Sequence, residues 1–156
     1  TSDTTVHELP SAQQLADIAI QTAEKAREFG HEPRVALLSY SNFGSPMREK
    51  AQRIREAILE LDKRKVDFEY DGEMSADVAL NNELRELYPF NRLSGPANVL
   101  IMPALHSANI ASKLIEELSD GSVVGPILVG LEKQVQIIGM NSKVSDILNA
   151  AALAAV

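Results

Sequence analysis

Residues 34–45, RVALLSYSNFGS, run an apolar segment straight into a loop of small residues, and Pro46 with a charged amphipathic stretch follows at once. A strand that yields within a few residues to a Gly/Ser loop and then to a helix is the repeating unit of layered α/β folds. Backbone N–H groups at a helix N-terminus lack intrahelical partners and sit at the positive end of the macrodipole, so such a loop suits phosphate oxygens. The feature points to an anionic, nucleotide-like ligand and leaves the reaction open.

The rest of the chain repeats the alternation. Ser11 can cap a helix over residues 11–29, where Leu15, Ile18, Ala19, Thr22, Ala23 and Ala26 recur at helical spacing and Gly30 can end it. Residues 34–40 read as a buried strand. Pro46 at the first helical position starts a helix over residues 47–63, with Ile54, Ala57, Ile58 and Leu61 on one face. Residues 68–70 are a second strand, ending at Asp71-Gly72, and short helices follow over 75–80 and 82–88. Residues 97–102 form a third strand, 107–118 a helix, 123–131 and 135–138 a fourth and fifth strand, and 142–156 an alanine-rich closing helix. The order predicts an α/β domain with a mainly parallel sheet. Ligands of such sheets bind beyond the carboxyl ends of the strands, which singles out residues 39–45, 103–109 and 139–146.

Composition narrows the functions. The chain has 156 residues, 45% of them hydrophobic, enough for one domain or most of a larger one. Fifteen basic against 22 acidic residues leave a net charge of -7, which argues against nucleic acid or an anionic membrane as a partner. Without cysteine there is no disulfide and no thiolate metal site, and a cytoplasmic location is expected. His7, His31 and His106 have no partner at metal-ligand spacing, so no metal site is expected. Residues 1–10 lack the basic and apolar regions of a signal peptide and read as a tail, with 11–156 as the folded part. Thr1 in place of methionine suggests a piece of a longer polypeptide.

Taken in order, six landmarks resemble the carboxyl-terminal half of the phosphate acetyltransferase (phosphotransacetylase) family. They are RVALLSYS (34–41), DGEM (71–74) with Asp77, GPANVLIMPAL (95–105), Asn109 with Lys113, GPILVGL (125–131) and VSDILN (144–149). The likeness runs from about Ser11 onward. Within it, the short SNFGSP loop (41–46), KVDFEYDGEM (65–74) and YPFNRLSG (88–95) are more similar to the transacetylase-like domain that ends large bacterial NADP-dependent malic enzymes. The resemblance implies a three-layer α/β/α fold of the isocitrate/isopropylmalate dehydrogenase-like architecture, with 11–156 as the carboxyl-terminal part of a phosphotransacetylase-like domain. It also implies a homodimer formed through this domain, with the remaining domains of the malic enzyme as partners in the same chain.

Acetyl transfer between coenzyme A and phosphate needs an acceptor for the thiol proton, a cation for phosphate and donors for the oxyanion. Transacetylases place a Ser-Arg pair a few residues before an Asp in the last segment. Here the Asp falls at Asp146, but the Ser and Arg positions fall on Gly139 and Met140, which offer neither hydroxyl nor charge. No catalytic residue is therefore assigned. The resemblance instead implies a domain that senses acetyl-CoA as an effector and holds no cofactor itself. NADP and Mg or Mn would serve the parent enzyme in the oxidative decarboxylation of malate to pyruvate.

Candidate contacts for acetyl-CoA or its phosphates are Ser39, Ser41, Asn42, Gly44, Ser45, Asn109, Lys113, Asn141, Ser142 and Asp146. Each has an ordinary alternative. The loop residues suit a plain turn, Asn109 and Lys113 a solvated helix face, and Asp146 a helix cap. Two rivals to the sensing domain stay open: a working transacetylase half that uses Asp146, and an oligomerisation module with a vestigial cleft.

Overall fold

The computed structural model describes residues 1–120, 123–140 and 142–155. It divides into two units, Thr1–Asn109 and Ile110–Val156. In the first unit, α1 (Ala12–Glu28) opens with a reciprocal cap: Gln14 donates its backbone N–H to the Ser11 hydroxyl, and Ser11 donates its own to the Gln14 side chain. Gly30, at φ 79°, takes the positive-φ conformation that stops the helix. Both ends were encoded locally.

β1 (Arg34–Leu38) lies between β2 (Glu69–Met74) and β3 (Val99–Ile101) in a parallel sheet of order β2-β1-β3. Being central, β1 buries both faces, which explains its unbroken apolar run. Val35 and Leu37 join Val99, Ile101 and the apolar stripes of α1 and α2 (Glu49–Arg64) in one core. Ala36 and Leu38 turn the other way, into a core with Met74, Val78, Ala79, Leu93 and Ala97. That second core holds the buried face of α3 (Ala76–Leu80), with α4 (Asn82–Arg85) directly after it. The result is helix, sheet and helix in three layers.

Three expectations are corrected here. Pro46 does not sit at the first helical position, because residues 42–45 close a tight turn, with N–H···O bonds of 3.0 and 2.9 Å between Asn42 and Ser45. The chain therefore needs three more residues before α2 begins at Glu49. Asp71-Gly72 does not end β2. Gly72, at φ 152°, absorbs a register shift opposite Leu37/Leu38, and the strand continues to Met74. Nor are residues 1–10 a loose tail. Ser2 donates its N–H to Leu100 and accepts from Met102 beside β3, and Leu105 donates to Glu8.

The second unit carries most of α5 (Leu105–Leu118), which begins in the first, then β4 (Ile127–Leu128), β5 (Val135–Gln136) and α6 (Val144–Ala154). The two strands are shorter than their apolar runs suggested and pair antiparallel, apart from the parallel sheet. Residues 129–134 are too few for the crossover that parallel neighbours require. Ile110, Leu114 and Leu118 of α5 and Ile147 and Leu148 of α6 stay exposed.

Two features of β2 give tests. A methyl group at position 72 would lie 2.7 Å from the Leu37 carbonyl oxygen, at a φ that side chains rarely adopt. Gly72→Ala is expected to lower stability by about 1–3 kcal/mol or more in chemical denaturation. Tyr70 donates its hydroxyl to Asp62, and Arg92 both pairs with Asp62 and covers the Tyr70 ring. Burial, then the Asp62 hydrogen bond, push the Tyr70 phenol from 10.0 up to about 12. Stability drawn from this contact should be complete below the ordinary phenol range and fall as pH rises through that raised value. Ultraviolet titration should show a late phenolate step that Tyr70→Phe removes.

Candidate functional site

Small residues dominate 39–45 because β1 ends against β2 and the chain must turn within a short span. Ser39 donates its N–H to the Met74 carbonyl at 2.9 Å, extending the β1–β2 pairing into the loop. Asn42 turns its side-chain oxygen to accept from both N–H (2.7 Å) and hydroxyl (3.1 Å) of Ser75. Phe43 and Gly44 then adopt positive φ values of 50° and 90°. The Phe43 ring packs against Tyr88 and Phe90, each 5.1 Å away between centroids.

At the centre is a carboxylate. Glu73, fully buried on β2, accepts at one oxygen from the Ser41 hydroxyl (2.8 Å), the Gly44 N–H (2.9 Å) and the Arg55 guanidinium (2.8 Å). Its backbone carbonyl takes the Phe43 N–H at 2.8 Å. The other carboxylate oxygen, also buried, has no hydrogen-bond partner among the described residues. Arg55 comes from α2, with its side chain 28% exposed, and supplies the charge that makes a buried carboxylate tolerable.

The loop's N–H groups from Asn42 to Ser45 are thus all donated within the protein, to Glu73 or across the turn. The open phosphate cradle read from the sequence is not formed by these four donors. α2 begins beyond the loop, at an acidic residue, Glu49, with no side-chain cap.

Ser39, Ser41, Asn42, Gly44 and Ser45 come together in the Thr1–Asn109 unit. Asn109 lies on the exposed side of α5, one turn before Lys113. Lys113 belongs to the second unit and donates to Glu116 at 2.7 Å, a bond that raises its pKa. Asp146, in the first turn of α6, accepts the Lys143 N–H at 2.8 Å and the Ser145 hydroxyl at 3.2 Å, which is a helix-cap role. Ser142 donates its N–H to Gly139, and Met140 is fully exposed. Asn141 lies outside the described residues.

Glu73, Arg55 and the Phe43–Tyr88–Phe90 cluster were missed as a set. DGEM carried a signal for the first: a carboxylate two residues after Asp71, on a strand beside a buried one, shares its face and needs a counter-charge. The Arg55 position, one after the buried Ile54, gave none.

Residues 1–155 match the family described as phosphate acetyl/butaryl transferase. An NADP-dependent malic enzyme of Rhizobium meliloti is 57% identical over 99% of this chain, which covers 20% of that protein. A phosphate acetyltransferase of Treponema pallidum is 44% identical over 97% of the chain and 46% of its own length. The fold superimposes on a phosphotransacetylase from Streptococcus pyogenes with a TM-score of 0.93 at 35% identity, covering 99% of this chain and 47% of that one. The chain thus spans about a fifth of the first relative and about half of the other two.

Because Glu73 is fully buried, losing its cation should cost more than losing a surface pair. Arg55→Met is expected to destabilise the protein by about 3 kcal/mol, measured by denaturant unfolding, whereas breaking an exposed pair such as Lys113–Glu116 should change stability far less.

Proposed function

Since the chain belongs to the phosphate acetyl/butaryl transferase family, we propose that it is the acetyl-CoA-sensing, non-catalytic region of an NADP-dependent malic enzyme. In this reading the ligand binds and is not turned over. The observation that carries it is the pair Gly139 and Met140, at the positions where the resemblance expects a serine and an arginine. Glycine has no side chain, and the exposed Met140 thioether cannot neutralise phosphate. The 57% identity to a malic enzyme supports the parent: a cytoplasmic enzyme that converts malate to pyruvate with NADP and Mg or Mn held by its other domains.

Effector action requires acetyl-CoA to bind two states of the enzyme with different affinity. Lys113 is the mobile cation best suited to a phosphate, since its pairing with Glu116 is exposed and readily exchanged. Asp146 would keep its cap role and orient the start of α6.

A second reading has its own support. The Treponema pallidum relative is named a phosphate acetyltransferase, and 44% identity leaves room for a transferase half that uses Asp146 with groups supplied by another part of its chain. A third, an oligomerisation module forming a dimer, draws on the exposed apolar residues of α5 and α6.

Losing a charge-assisted contact to phosphate costs about 1.5–3 kcal/mol, or about tenfold to a hundredfold in affinity. In the full-length enzyme, alanine at Asn109, Lys113 or Asp146 is expected to move the acetyl-CoA midpoint of malate turnover upward, Lys113→Ala by about tenfold. Identical titration curves for wild type and all three variants would remove these residues from the effector site.

A further inference from the structure

We infer that Glu73 is the positioning residue of the 39–45 loop, holding it in the positive-φ turn at Phe43 and Gly44, with Arg55 as the charge that keeps it there. The inference rests on the effector reading of that loop only for its ligand arm; the geometry is independent of it.

Phe43 and Gly44 both adopt positive φ, a region that is unfavourable for a phenylalanine and is kept only when surrounding contacts enforce it. Two of those contacts come from one residue. Glu73 takes the Phe43 N–H on its backbone carbonyl and the Gly44 N–H on its side chain, so both amides at the strained step end on the same buried strand residue. The same carboxylate oxygen takes the Ser41 hydroxyl, fixing the loop before the step as well as at it. Arg55 reaches that oxygen from α2, so loop, strand and helix meet at one atom.

A neutral amide cannot replace this acceptor. Glu73→Gln retains an oxygen for Ser41 and Gly44 but withdraws the charge that Arg55 faces. It also puts an NH2 group where the second carboxylate oxygen now lies buried without a partner. The loop should then sample conformations in which Phe43 leaves the positive-φ region. Any ligand that needs the positive-φ turn binds in proportion to the fraction of molecules that keep it.

The test uses the full-length enzyme, in wild-type form and as Glu73→Gln, Arg55→Gln and the double variant, at a temperature where circular dichroism shows all four folded. Amide hydrogen exchange reads the loop, and calorimetry with acetyl-CoA reads the ligand. Glu73→Gln is expected to accelerate exchange across residues 41–45 at least about tenfold more than across β1 and α2, and to raise the acetyl-CoA Kd by about tenfold. The double variant should show less than the product of the two single effects, because both changes break one interaction. Exchange and Kd within about twofold of wild type in Glu73→Gln would overturn the inference. Acceleration no greater at 41–45 than across β1, β2 and α2 would overturn it too, since that is what a general ion pair of the core would give. If wild type binds no acetyl-CoA, the effector reading falls, and exchange at 41–45 alone decides the positioning role. If Glu73→Gln fails to fold, Ser41→Ala takes its place, because it removes one donor and leaves the ion pair. Localised acceleration there supports the inference, and wild-type exchange overturns it.

Discussion

One buried carboxylate organises the end of the sheet. Desolvating the Glu73 charge is costly unless a cation and several donors meet it, and the protein brings them from a loop and a helix that share no local sequence. The loop after β1 cannot relax outward without uncovering that charge. α2 cannot shift without removing Arg55 from it. The arrangement trades the loop's N–H groups, which a phosphate-binding turn would leave open, for an internally closed acidic anchor.

That trade shapes what the chain can do. A loop whose donors from Asn42 to Ser45 are spent inside can still present side chains and an aromatic edge, but it is a poor electrophilic cradle for a developing negative charge. The absence of side-chain chemistry at Gly139, together with the neutral thioether of Met140, points the same way. Both are the grounds on which ligand binding without group transfer is proposed for a chain that spans about half of the transacetylases it matches.

What the sequence made legible was local. Ser11, Gln14 and Gly30 define α1 by chemistry within its own turns, and the RVALL run announces a strand buried on both faces. What it hid depends on partners distant in the chain. Gly72 reads as a turn, yet it serves a bulge because Leu37 lies against it. Pro46 reads as a helix start, yet a turn closed between Asn42 and Ser45 delays the helix. Apolar runs at 123–131 and 135–138 gave no measure of how many residues would pair. The candidate loop was found by its composition, but the direction in which its N–H groups point was not, because Glu73 is written the same whether buried or exposed.

The most direct test is to incubate the full-length enzyme with acetyl-CoA and inorganic phosphate, following heat of binding and release of free coenzyme A thiol in parallel. Saturable binding with no thiol released above the uncatalysed background is the predicted result. Phosphate-dependent thiol release that saturates with acetyl-CoA would contradict the account and make this chain half of a working transferase.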